Sequence, residues 1–224
     1  MILSLRNENN RRDAEDTEIS EGKERVRIGV YGGTFDPPHV GHLILAETAA
    51  ESLRLARVIF VPAGTPPHKQ PGDVRESAEH RLIMVKRAIE GNPRFVLSRV
   101  DIDRPGPHYS VDMLRLLGNE YPGADLVFLI GADSLRDLPK WSRSQELIQL
   151  ARLGVMRRSG AEPDLEALER SIPGISARIE WIAAPRIEIA SHVVADQIAD
   201  GCSVRYQVPD GVLAYIQQQG LYRE

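Results

Sequence analysis

The sequence predicts an α/β protein built on a doubly wound parallel sheet, and three observations carry that expectation. Short apolar runs alternate with stretches of helical periodicity over most of the 224 residues, as in parallel strands joined by crossover helices. The run Asp125–Ile130 is apolar almost throughout, as a central strand covered on both faces must be. The first strand runs into a glycine pair and then a helix start, which places a ligand at the carboxyl end of a strand.

Taken in order, Val26–Tyr31 is the first strand and ends at Gly32-Gly33, where missing β-carbons permit positive φ and close approach of a phosphate. The next helix begins near Val40, with Leu43, Ala46, Ala50 and Leu53 at the spacing of one buried face. Arg57–Pro62 is a short apolar run bounded by Pro-Ala-Gly and reads as a buried strand, followed by a loop from Ala63 to Arg75. Ser77 caps a helix whose inner face is Ala78, Leu82, Val85 and Ile89, and Gly91-Asn-Pro93 ends it. Phe95–Leu97 is the third strand. A helix from Tyr109 to Tyr121 with Leu114 and Leu117 inward then leads to the central strand. Ser142 and Gln145 have the spacing of a capping box ahead of Leu147, Ile148 and Leu150, and Arg152–Met156 reads as another strand. A helix over Pro163–Ile172, strands near Arg178–Ile182 and Ile187–Ile189, and a small helical portion of two terminal helices complete the chain.

Composition narrows the function. Residues 1–25 are mostly polar or charged and read as a disordered extension, whereas residues 26–224, in a chain with 42% hydrophobic residues, suffice for one domain with a sizeable core. The net charge of -4 gives no basic field for nucleic acid, so any phosphate recognition must be local. Cys202 is the only cysteine, which excludes an internal disulfide framework, suits a reducing cytosol and reads as a small buried residue. No apolar run is long enough for a membrane span, and the polar residues after Leu5 do not fit a signal peptide, so a cytoplasmic protein is expected. A homo-oligomer stays open.

The chemistry is concentrated in Gly32-Gly-Thr-Phe-Asp-Pro-Pro-His39-Val-Gly-His42. His39 and His42 are three apart at a helix start, so both imidazoles project from one side of its positive end, where anions are favoured. Asp36 precedes two prolines and can be simply a turn residue. The chain has neither Gly-x4-Gly-Lys-Ser/Thr nor Gly-x-Gly-x-x-Gly, so it lacks the phosphate loops of P-loop ATPases and typical dinucleotide-binding dehydrogenases.

This run resembles the signature of the nucleotidyltransferase superfamily that includes the bacterial adenylyltransferases, which implies a Rossmann-like nucleotidyltransferase fold. Four further stretches are similar to loops of bacterial nicotinate-nucleotide adenylyltransferases: Pro62–Lys69, Ala78–Met84, Arg104–Leu114, and Ile130–Ser134 with Trp141. Val208–Tyr222 is similar to that family's ending. The resemblance implies a reaction of ATP and nicotinate mononucleotide, with Mg2+, to give nicotinate adenine dinucleotide and pyrophosphate in NAD biosynthesis. The attacking phosphate is already nucleophilic, so the protein must align two anions and stabilise developing charge. On this reading His42 serves the α-phosphate and His39 the leaving phosphates, while the amides of Gly32, Gly33, Thr34 and Phe35 line the floor.

Asp133, after Gly131 at the end of the central strand, can accept from both ribose hydroxyls or act as a helix cap. Trp141 alone reads as a partly buried tryptophan; the resemblance makes it the plane on which nicotinate stacks. Helix-start amides near Tyr109 and Ser110 suit the nicotinate carboxylate, and Tyr109 can cover the ring's other face. Lys69 and His68 either contact the mononucleotide phosphate or are solvated loop groups. No protein metal ligand is assigned.

The resemblance breaks near the C-terminus. The family usually has Ile-Ser-Ser-Thr-x-Ile-Arg, with hydroxyls and arginine gripping the ATP phosphates, where this chain has Ile189-Ala-Ser191-His-Val-Val-Ala195. Ser191 is either a phosphate contact or an N-cap. Ala195 stands at the arginine's position on the expected face of Ser191, and His192, Arg186 or Arg205 are candidate substitutes. Ser110 and Met113 stand where threonines are common. The alternatives are a related transferase with another acceptor, such as nicotinamide mononucleotide or a pantetheine phosphate, and a nucleotide-binding regulator with little turnover.

Overall fold

A computed structural model describes residues 25–66, 70, 72–157, 163–185 and 187–223. His68, Lys69 and Arg186, three of the sequence candidates, lie outside the described residues. The elements run β1 (Arg27–Gly33), α1 (Val40–Ser52), β2 (Arg57–Pro62), α2 (Ala78–Ile89), β3 (Phe95–Leu97), α3 (Ser110–Glu120) and β4 (Asp125–Gly131). They continue with α4 (Ala132–Asp137), α5 (Ser144–Leu150), β5 (Arg152–Met156), α6 (Leu165–Ser171), β6 (Ile179–Ile182), α7 (Ser191–Ala199) and α8 (Asp210–Gln219).

The strands form one parallel sheet in the order β3-β2-β1-β4-β5-β6. Successive strands run outward from β1 to β3, and the chain then crosses back to lay β4 on the other side of β1. Crossovers on the two sides of that reversal diverge, so a crevice opens at the carboxyl ends of β1 and β4. Side chains alternate across the strands and define two cores. Ile28, Val30, Phe128, Ile130, Leu153 and Val155 face a layer with Leu114, Leu117, Leu135, Leu147 and Leu168 of α3–α6. Tyr31, Phe60, Leu129 and Met156 face the opposite layer with Ala46, Ala49 and Ala50 of α1 and Val85 and Ile89 of α2. The back of α2, through Met84 and Ala88, is covered by Val194, Ala195 and Ile198 of α7 and by Val212 and Ile216 of α8.

Three sequence expectations fail for identifiable reasons, and one short helix is not among the expected elements. Ile187–Ile189 joins no ladder; Ile187 would sit 3.3 Å from a β-carbon on Gly41, and Ile189 packs on the α2–α7–α8 core, so its apolar residues anchor the chain to helices. The capping box at Ser142 does not form, because α5 starts at Ser144 after Arg143, whose φ is 55°, and Gln145 donates instead to Pro173 O at 3.2 Å. The short α4 after Gly131 has too few turns for its periodicity to be seen in the sequence. Cys202 is exposed, in the turn that leaves α7. Among the described residues no helix is long and apolar enough to cross a membrane.

Candidate active site

A cleft of about 560 Å³ opens at the crevice between β1 and β4. Gly32, Gly33 and Thr34 line it from the end of β1, and Gly131 and Asp133 from the end of β4. Tyr109 and Ser110 from the start of α3 and Trp141 from the turn before α5 complete the wall. Eight sequence candidates therefore converge on one space. A β-carbon on Gly131 would meet nothing within 4 Å. Asp133 lies in the first turn of α4 and is not the cap, which is Gly131; its carboxylate pairs with Arg136 at 3.2 Å.

The β1 end reaches this geometry differently from the sequence expectation. Neither Gly32 nor Gly33 has positive φ; β1 runs through both, and the left-handed residue is Phe35, with φ 51°. Its ring folds back so that a β-carbon on Gly33 would lie 3.0 Å from it. A side chain at Gly33 would thus crowd the Phe35 ring. Phe35 itself is buried at 2% exposure, so its side chain belongs to the core.

His39 and His42 do not line the cleft wall; they lie beside it, at the entry to α1. Their rings stack with centroids 3.7 Å apart, and His42 lies 5.0 Å from the Phe35 ring and 6.1 Å from that of Tyr31, which does line the cleft. The backbone N–H of His39 donates to Nδ1 of His42 at 3.0 Å. With Nδ1 accepting, the neutral tautomer places the proton on Nε2. The intervening Gly41 lies beneath the His39 ring, where a β-carbon would come within 2.9 Å of Nδ1. The spacing His-x-Gly-His therefore builds a stacked pair at a helix N-terminus, with no room for a side chain between.

Asp36 is no simple turn residue. It is 8% exposed and accepts from the Arg75 N–H and the Tyr222 hydroxyl, both at 2.7 Å. Burial, together with the Asp36 carboxylate, raises the Tyr222 phenol well above its ordinary range. Sequence reasoning also missed Arg81 and His108, which are 1% and 7% exposed. The signal available was an arginine on the first turn of a helix whose neighbouring positions Leu82, Met84 and Val85 are apolar.

On the acceptor side, Trp141 packs edge-on against Phe128 at 6.3 Å and is half-buried, as the plain sequence reading of a partly buried tryptophan expects. The guanidinium of Arg143 lies 5.9 Å over the Tyr109 ring. Met113, where the family favours threonine, lies 3.6 Å from a β-carbon position on Gly32. At α7, Ser191 is the first helical residue and Ala190 the cap; the Ser191 hydroxyl donates to Pro37 O at 2.9 Å. Ala195 is 1% exposed in the core against α2, so its side chain packs inward. His192 is exposed, and Arg205 lines a shallow pocket with Ile198 and Leu213.

Residues 30–203 match the cytidylyltransferase-like family model. A probable nicotinate-nucleotide adenylyltransferase of Thermomicrobium roseum is 49% identical over 88% of this chain and 92% of its own length. A probable nicotinate-nucleotide adenylyltransferase of Roseiflexus sp. is 45% identical over 88% of this chain and 98% of its own length. The chain belongs to the nicotinate-nucleotide adenylyltransferase family. Its members are nucleotidyltransferases, and the cleft described above takes Gly32, Gly33 and Thr34 from the signature run of this adenylyltransferase chain, with the stacked histidines beside it. The fold recurs in Plasmodium falciparum nicotinic acid mononucleotide adenylyltransferase complexed with NaAD, with a TM-score of 0.70 at 18% identity over 88% of this chain and 97% of that one.

Proposed function

We propose that this protein transfers the adenylyl group of ATP to nicotinate mononucleotide. The mononucleotide phosphate attacks the α-phosphorus, a new phosphoanhydride bond forms, and the bond to the β-phosphate breaks to release pyrophosphate. The observation that carries this reading is the single cleft that brings together the β1 glycine loop, Gly131 and Asp133, and Tyr109, Ser110 and Trp141, with the histidine pair beside it.

Phosphoryl chemistry of this kind requires alignment and charge stabilisation rather than a protein nucleophile. The amides of Gly32, Gly33, Thr34 and Phe35 are assigned to the phosphates. His42, a donor through Nε2, is assigned to the α-phosphate, where negative charge builds, and His39 to the leaving phosphates. Asp133 is assigned to the ribose of ATP and Trp141 to the pyridine ring. The first-turn amides of α3 at Tyr109 and Ser110 are assigned to the nicotinate carboxylate, with Lys69 on the mononucleotide phosphate. Ser191, bonded to Pro37 beside the phosphate loop, retains lone pairs but lends its proton inward, so its role is to hold that loop next to α7. Magnesium enters with ATP, carried on the phosphate oxygens. The reading places the protein in the cytoplasm, in NAD biosynthesis, with residues 26–224 as one transferase domain.

The test is pyrophosphate release and dinucleotide formation by the purified protein with ATP and magnesium. Turnover is expected with nicotinate mononucleotide, and kcat/KM for nicotinamide mononucleotide or a pantetheine phosphate should be lower, because helix-start amides suit a carboxylate better than a neutral amide. Equal kcat/KM for the two pyridine nucleotides would refute the assigned specificity. Nucleotide binding without pyrophosphate release would mark a regulator.

A further inference from the structure

Arg81 sits on the first turn of α2, outside the cleft wall, yet its guanidinium reaches three backbone segments. Nη1 donates to Thr34 O at 2.7 Å, Nη2 to Gly64 O at 3.0 Å and Nε to Glu76 O at 3.1 Å. Thr34 belongs to the loop after β1, and Gly64 to the loop after β2, which also lines the cleft through Ala63 and Pro66. Burial works against the guanidinium charge and lowers its pKa, and the Asp36 carboxylate offsets only part of that cost.

The carbonyl and N–H of one trans peptide point opposite ways. With the Gly64 carbonyl turned to Arg81, the N–H of the same peptide, on Thr65, points away and donates to Nδ1 of His108 at 2.7 Å. That contact is shorter than the 3.2 Å from Nδ1 to Thr65 O, so Nδ1 is the acceptor and Nε2–H donates to Arg104 O at 3.0 Å. Arg104 in turn is held by buried Asp101 at 2.7 Å. His108 immediately precedes Tyr109 and Ser110. By the same peptide geometry, the Thr34 carbonyl held by Arg81 turns the Phe35 N–H to the opposite side.

We infer that Arg81 is a positioning residue that fixes the phosphate loop against the acceptor loop, through a polar relay from Thr34 and the Gly64–Thr65 peptide to His108. The inference rests on the proposed adenylyl transfer, in which those loops hold the two reactants. Each loop can bind its own substrate alone, whereas the distance between attacking phosphate and α-phosphorus depends on their register. A lysine at position 81 keeps the charge but cannot span three carbonyls as a planar fork does. Loss of register should therefore reach the rate before the affinities.

The test compares Arg81→Lys, His108→Gln and the double variant, with Arg27→Gln, at the opposite end of the sheet, as a control for general stability loss. Arg81→Lys should lower kcat by about ten- to a hundredfold, the scale of an ångström-level misplacement, with each KM changed by less than about threefold. The double variant should be no worse than the more severe single, since both cut one relay. Without substrates, amide hydrogen exchange in Arg81→Lys should quicken over residues 104–110, which Arg81 does not touch. A folded Arg81→Lys with wild-type kcat, a loss confined to KM, or unchanged exchange over 104–110 overturns the inference. Should Arg81→Lys not fold, His108→Gln must speed exchange at Thr34 and Phe35 for the relay to stand. If the wild type makes no dinucleotide, the adenylyl-transfer reading fails by itself, and the exchange data still decide whether the relay exists.

Discussion

Nδ1 of His42 accepts the His39 N–H that closes the helix start, and the proposed transfer assigns Nε2–H of the same ring to the α-phosphate. An interaction that strengthens as charge builds acts on kcat more than on binding. His42→Ala is therefore expected to lower kcat by about 10²–10³-fold, the range for removal of one oriented donor, with smaller effects on either KM. Steady-state kinetics check this, and a normal kcat would take His42 out of the reaction. Trp141 is half-buried on Phe128 while it lines the cleft, so Trp141→Ala should raise the KM for the mononucleotide and leave that for ATP nearly unchanged. The residue types at both positions were legible in the sequence. What was not legible is that Gly41 is needed as space for the His39 ring, because that contact exists only once the helix start has formed.

Among the elements, α7 holds most of the stretch at which the sequence resemblance breaks, Ile189–Ala195. The sequence places Ala195 where relatives are expected to carry a phosphate-binding arginine, on the face of Ser191, but α7 turns that position into the core beside Val194 and Ile198. Ala195→Arg is thus expected to destabilise the fold by about 3 kcal/mol or more, from a buried charge and overpacking, with no gain in ATP affinity. Chemical denaturation and ATP titration together test this; tighter ATP binding at unchanged stability would contradict it. The amino ends of the strands hold a second ionic feature. Arg27 donates to Glu180 at 2.7 and 2.8 Å, and Arg152 bonds the same carboxylate, joining β1, β5 and β6. Burial opposes ionisation of Glu180, but the two arginines outweigh it and hold the carboxyl below its ordinary value of 4.5. The unfolded chain takes up that proton more readily, so the contribution is complete above pH 4.5 and is lost as pH falls through the lower, folded value. Glu180→Gln should cost about 1–3 kcal/mol at pH 7. Denaturation across pH should show that difference shrink in acid; a pH-independent gap would reject the ionic account.

Over the whole molecule, the end of the chain is tied to the first loop. Tyr222 donates its hydroxyl to Asp36 at 2.7 Å, and its N–H donates to Glu76 at 2.9 Å, so residues 186 positions apart meet behind the phosphate loop. Tyr222→Phe leaves the buried Asp36 oxygen without its donor and is expected to cost about 1–3 kcal/mol. A thermal midpoint equal to wild type would show that the tail does not brace the loop.

The alternation of apolar runs and helical periods determined the α/β class and the parallel sheet, because strand and helix periods are local properties of the chain. The Gly-Gly-Thr-Phe-Asp-Pro-Pro-His-Val-Gly-His run and the four further loop stretches likewise supplied the candidate side chains for the proposed anion and ring recognition. Strand order, and with it the crevice between β1 and β4, was decided only by the tertiary structure. So were the inward turn of Ala195, the left-handed Phe35 and the buried bonds of Arg81 to carbonyls 47, 17 and 5 positions away. The physical reason is that burial and most of these hydrogen-bond partners come from other segments of the chain, and no local pattern encodes which carbonyl a guanidinium will find.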